Sequence, residues 1–178
     1  MSKKPWVKTE ILLPKDYDAE DAQTVAEEIL NFIVERTKKG KGSDGVNFPE
    51  YSPLYKASDA FKLGGKSSTV NLTLSGEMLD SLEVLQAKRG KIVIGFAKDS
   101  EMNGRADGNC RGSYGTSKDD PSKARNFMEL SGKELAKIIR SLDILPRETQ
   151  NKIAKDAKAG AIDIIDNFQF EVDDGEDG

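Results

Sequence analysis

The spacing of apolar positions changes several times along this chain, and each change marks an element. "WVKTEILLP" (6–14) is a short apolar-rich run stopped by Pro14, which predicts a strand. After it, Ala22, Val25, Ala26, Ile29, Leu30 and Ile33 recur at intervals of three and four, the face of an amphipathic helix. Asp18 is placed to cap that helix, and Glu20 and Asp21 suit its positive end. Lys38, Lys39 and Gly40 close it. In "STVNLTLSGEMLDSLEVL" (68–85), Val70, Leu72 and Leu74 alternate with Asn71, Thr73 and Ser75, the period of a half-buried strand. Ser75-Gly76 interrupts the alternation, and Met78, Leu79 and Leu82 then fall at helical spacing, predicting a single turn.

Further on, Leu82 and Val84 before Gly90, and Ile92, Ile94 and Phe96 after it, predict a β-hairpin. Ser131 and Glu134 have the spacing of a capping box, with Leu130 and Leu135 as its hydrophobic staple. Ile138, Ile139 and Leu142 continue that helix face. Pro146 opens a third predicted helix, for which Ala154, Ala157, Ala161, Ile164, Ile165 and Phe168 form the buried stripe. Residues 40–68 and 97–126 follow no period. The order predicts an α+β fold: a small antiparallel sheet with packed helices and two long loops. Residues 1–170 are expected to form one domain, and 171–178 an acidic disordered tail.

Composition narrows the chemistry. The chain has 178 residues, no histidine and one cysteine, Cys110. An internal disulfide is therefore impossible, a zinc site has few ligands, and every nucleophile paired with histidine is excluded. The net charge is −4, and the final "EVDDGEDG" contributes five acids, so the rest of the chain stands at +1. A near-neutral body differs from the basic excess usual in dedicated nucleic-acid binders. No apolar run is long enough to span a bilayer, and "MSKKPWVKTE" lacks the apolar stretch of a signal peptide, so a cytosolic site of synthesis is expected.

Four stretches resemble chemical motifs by letter. "GKGSDG" (40–45) has the spacing of a dinucleotide fingerprint, but it leaves a helix where a strand is required. "AFKLGGKSS" (60–68) lacks the first glycine of a phosphate loop. "DSEMNGRADGNC" (99–110) places oxygens at Asp99, Glu101, Asn103 and Asp107 as a calcium loop does, but Cys110 stands where a bidentate carboxylate belongs. It reads instead as a polar surface loop. The second and third helices lack the glycine common in a helix-turn-helix connection, and Lys152, Lys155 and Lys158 read as a solvated face. No cofactor, metal or catalytic residue is expected.

The two long loops carry the functional expectation. Unstructured connections beyond about 12–15 residues are uncommon in compact domains and tend to be functional or disordered. The first holds Phe48, Tyr51, Tyr55 and Phe61, and the second Tyr114, Arg125, Phe127 and Met128. These residue types are enriched at the cores of protein interfaces. Phe48, Tyr51, Tyr55, Tyr114, Arg125 and Phe127 are the candidate interface residues. The plainer alternative is that they fold back over their own sheet.

The order of these segments resembles a known family, the virion-morphogenesis proteins of tailed phages, which act as tail-completion or neck components. The likeness runs from about residue 20 to about 140. It rests on "RTKKGKGSDGVNFPEYSPLY" after the first helix, then "VNLTLSGEMLDSL" and "IVIGFA". A glycine-rich loop with "GSYGT" and the closing "KARNFMELSGKELAKI" complete it. Departures occur at Arg111-Gly112-Ser113 and Lys123-Ala124-Arg125-Asn126. The resemblance implies a structural subunit that joins tail to head through a homo-oligomeric ring, commonly a hexamer, with no enzymatic activity. Implied partners are copies of itself, the phage connector or neck proteins and the tail-tube or tail-terminator proteins. Packaged DNA is implied only as channel content, and no membrane is involved. The implied location is the virion neck or tail, with the host cytoplasm during assembly. A nucleic-acid-binding module using "RTKKGK" and "KRGK" is the alternative reading. A small carboxylate-based or phosphate-handling enzyme is a third.

Overall fold

The computed structural model describes residues 4–64, 70–72, 76–113 and 118–171, with backbone only for 167–171. The fold is α+β, with helices packed on a small antiparallel sheet of four strands in the order β2 (Glu83–Lys88), β3 (Lys91–Gly95), β1 (Lys4–Ile11), β4 (Ile164–Glu171). Strand β1 is central, paired with β3 on one side and β4 on the other. Strand β2 forms the far edge and joins β3 through the hairpin. Gly90 takes φ 87°, the left-handed conformation that the tight turn requires.

The sheet has two unlike faces because side chains alternate along β1. Val7, Thr9 and Ile11 face inward with Ile92, Ile94 and Phe96 of the neighbouring segment, and all six are fully buried. On the other face, the Lys8 ammonium lies 3.8 Å from the Trp6 ring and 3.4 Å from a Glu10 carboxylate oxygen. Helix α1 (Ala19–Lys38) packs its apolar stripe across β2 and β3, capped by Asp18 as expected.

Helix α6 (Gly132–Ser141) starts with the expected capping box, and α7 (Arg147–Lys158) packs against it. Buried Gln150 of α7 donates its amide hydrogens to the carbonyls of Ile139 and Leu142, closing the C-terminus of α6.

Three expectations are corrected. The third predicted helix stops at Lys158, and Ile164 and Ile165 belong to strand β4. Their helical spacing from Ala157 and Ala161 concealed the break at Gly160, whose φ is 78°. Residues 97–126 are not a uniform loop, because α5 (Met102–Arg111) occupies the stretch that resembled a calcium loop. Asn103 is the reason that helix docks. Its Oδ1 accepts from the Val7 N–H at 2.9 Å, and its Nδ2 donates to the Ala97 carbonyl at 2.8 Å. It thus satisfies β1 backbone just past the end of β3.

The strand expected over 68–75 is absent from its described part, 70–72. Leu72 has φ 56°, incompatible with a strand, while Val70 is drawn into the core. Leu74 and Ser75 lie outside the described residues. The predicted turn does form as α4 (Glu77–Asp80), entered through Gly76 at φ 75°.

Candidate docking surface

The chain leaving α1 forms an arm over residues 40–64, built from short, separately capped turns. Ser52 Oγ accepts from the Tyr55 N–H at the start of α2 (Pro53–Lys56), and Ser58 Oγ from the Phe61 N–H at the start of α3 (Asp59–Leu63). Helices this short are marginal alone, so tertiary contacts must hold them.

Three rings supply those contacts. Tyr51, Tyr55 and Phe61 pack with centroids 5.2, 5.8 and 5.6 Å apart in tilted and edge-on geometry. Arg125 fastens this cluster to the body. Its guanidinium sits 4.9 Å from the Tyr51 ring centroid and donates to the carbonyls of Pro49 and Glu50, each at 3.2 Å. Burial pushes the Tyr51 hydroxyl's pKa up, with Arg125 acting in the opposite sense.

The candidate interface residues therefore divide. Phe127 is 0% exposed and meets Phe96 edge-on, so it is a core residue rather than a docking one. Phe48, Tyr51 and Arg125 are buried within the chain, and Tyr55 is half-buried against the other rings. Their surface has already been used to attach the arm, which is the plainer alternative considered above. Tyr114 lies outside the described residues.

The arm displays different side chains. Leu54 is 85% exposed and Leu63 87%, with Val46 67% exposed at the arm's start. A helix of one turn buries only part of its circumference. In each case the larger aromatic neighbour, Tyr55 or Phe61, takes the inner position. Leu63 follows Phe61 by two residues, which places it on nearly the opposite side of the turn. The sequence signal was present but ambiguous, since Leu54 recurs along the same stretch as Tyr51 and Tyr55, which turn inward.

A second feature lies where α1 ends and α6 begins. Arg36 and Glu134 form a buried pair, Nη1 to Oε2 at 2.7 Å, with side chains 5% and 8% exposed. Arg36 Nη2 also donates to the carbonyls of Phe127 at 2.8 Å and Glu129 at 2.7 Å. Glu134 accepts from the N–H groups of Ser131 at 3.1 Å and Asp44 at 3.0 Å. Asp44 adopts φ 55° in a 3-10 turn (Ser43–Gly45), and its carboxylate accepts the Ser131 hydroxyl at 2.5 Å. One buried carboxylate thus locks the root of the arm to α6.

Beside this network is an open cleft of about 430 Å³, bordered by Arg36, Lys39, Lys41, Lys133 and Lys137. Glu35, Asp44 and Glu134 also line it. The cleft draws on "RTKKGK" but not on "KRGK", where Arg89 instead donates to the Lys15 carbonyl at 2.9 Å.

No protein-family model matches this chain, and neither does any curated protein or solved structure. Among the described residues, no helix is long and apolar enough to cross a membrane. The class defined by fold and surface is a four-stranded α+β body carrying a braced arm with exposed leucines.

Proposed function

We propose that this chain is a non-catalytic structural subunit of a tailed-phage particle, a tail-completion or neck component that joins tail to head as a homo-oligomeric ring. The observation that carries the proposal is the arm. Two large apolar side chains, Leu54 and Leu63, stand almost fully in solvent on short helices braced from beneath by an aromatic cluster and Arg125. Burying an exposed leucine is worth about 1.5–3 kcal/mol, and bracing lowers the ordering cost of contact. Head-to-tail contacts of one copy's arm with the next copy's body close into a ring when the rotation permits. The motif order from residue 20 to 140 supports the family assignment. In this reading the partners are other copies, the connector or neck proteins and the tail-tube or tail-terminator proteins. The subunit resides in the virion after assembly in the host cytoplasm, and DNA passes only as channel content.

The test is complementation with Leu54→Asp/Leu63→Asp in place of the unmodified chain. Infectious particle yield should fall at least ~10-fold, while circular dichroism and melting temperature stay within a degree or two of the parent. Full yield from the double variant would refute the docking role of the arm.

Nucleic-acid binding is the second reading, and the lysine-bordered cleft is what favours it. It predicts duplex DNA binding that weakens steeply as salt rises, which the structural-subunit reading does not require.

A further inference from the structure

The cleft between α1 and α6 has unfilled charge. Its buried cation, Arg36, is matched by Glu134, and Glu35 lies 3.7 Å from Lys38. The ammonium groups of Lys39, Lys133 and Lys137 have no ion pair or hydrogen bond among the described residues. Arg36 is 7% exposed overall, yet its Nε, a buried donor, also has no partner there. A buried donor without an acceptor is costly, about 1–3 kcal/mol, and uncommon in native proteins. The Nε is enclosed and out of an occupant's reach, but five cationic side chains against three carboxylates around the concavity favour an anionic occupant.

We infer that this cleft is a docking site for an acidic peptide segment, and that its occupant is the carboxy-terminal stretch 171–178 of a second copy of this chain. That stretch carries Glu171, Asp173, Asp174, Glu176 and Asp177 and no base. The cleft suits separate carboxylates better than a nucleic-acid backbone. Glu35, Asp44 and Glu134 line it between the lysines and oppose a continuous row of phosphates, whereas a peptide can place its carboxylates selectively.

The ring reading supplies a second copy as the occupant's source. Asp166 lies beside Asn126 at 3.4 Å, next to Phe127, whose carbonyl holds Arg36. From Asp166, strand β4 runs five more residues to Glu171, about 17 Å of rise. The seven residues after Glu171 can span at most about 25 Å. In a head-to-tail ring, the end of β4 in one copy is set against the body of the next, which brings these acids to a neighbour's cleft. The inference rests on the ring reading and adds an electrostatic contact to the arm's apolar one.

The experiment mixes isotopically labelled and unlabelled full-length chain, follows its mass by light scattering at low and high salt, and cross-links carboxylates to amines with a carbodiimide. The expected result is self-association at 50 mM salt that weakens strongly by ~0.5 M, where the screening length falls to a few ångströms. Cross-links between labelled and unlabelled chains should join 171–178 to Lys39, Lys133 and Lys137. Lys133→Glu/Lys137→Glu should weaken association at least ~10-fold, and replacing Asp173, Asp174, Glu176 and Asp177 with lysine in the same chain should restore it. Association unaffected by these changes, or cross-links at lysines outside the cleft or within single copies, would overturn the cleft assignment while leaving the ring standing. DNA binding at the cleft that survives with the tail intact would overturn it in favour of nucleic acid. A chain that remains monomeric throughout would remove the ring and this contact together.

Discussion

Replacing Arg36 with methionine tests the network that roots the arm. Methionine fills much of the arginine stem's volume but removes the guanidinium, leaving the Glu134 carboxylate buried without its counter-charge. The carbonyls of Phe127 and Glu129 lose their donor as well. Breaking a buried pair by removing one partner costs about 3–5 kcal/mol, because the remaining charge is uncompensated. Against a typical total stability of about 5–15 kcal/mol, that is a large fraction. For a chain of this size, about 2–4 °C of melting temperature per kcal/mol gives a fall of roughly 6–20 °C. The assay is thermal and urea unfolding by circular dichroism. Adding Glu134→Gln should recover about 1 kcal/mol, since glutamine strands no charge, although its single carbonyl oxygen keeps only one of the two N–H groups, of Ser131 and of Asp44, that the carboxylate accepts through separate oxygens. An Arg36→Met chain as stable as the parent, or no recovery in the double variant, would refute the account of this network.

Asp166 gives a pH-dependent prediction. Burial, reinforced by Glu129, raises its pKa from 3.8 to about 6. The folded state therefore holds the proton more tightly than the unfolded one, and the associated stability is lost as pH rises from about 4 through about 6. Asp166→Asn should raise stability at pH 7–8 by roughly 1–3 kcal/mol and change little near pH 4; equal effects at both would contradict it. Phe127→Ala should cost about 3–5 kcal/mol in urea unfolding, the behaviour of a core ring rather than a docking one. An exposed-residue effect under about 0.5 kcal/mol would contradict its placement. Gly76→Val should lower the melting temperature, because valine is strained at φ 75° where the chain enters α4. An unchanged melt would contradict the turn.

What the sequence disclosed was local. Asp18 and the α1 stripe, the hairpin about Gly90, and the Ser131–Glu134 box are patterns contained within a few turns, and each formed as read. What it concealed depends on distant partners. Helix α5 contains Gly104 and Gly108, poor helix formers, and docks because Asn103 reaches a β1 amide 96 residues away. Strand β4 exists because β1 offers it an open edge, against the helical spacing of its first isoleucines. Arg36 falls on the α1 apolar stripe three residues after Ile33, and that position was the unread signal of its buried partner. In the arm, residue type marked an aromatic-bearing segment but could not separate aromatics that brace it from leucines that it displays. That distinction required knowing that Arg125 lies over Tyr51.

The most direct measurement is quantitative peptide mass spectrometry of purified tailed particles from cells expressing this chain. The account predicts peptides of this chain in each intact particle, in a fixed small ratio to the tail-tube protein as befits one ring. Homogeneous, infectious particles without any peptide of this chain would contradict it.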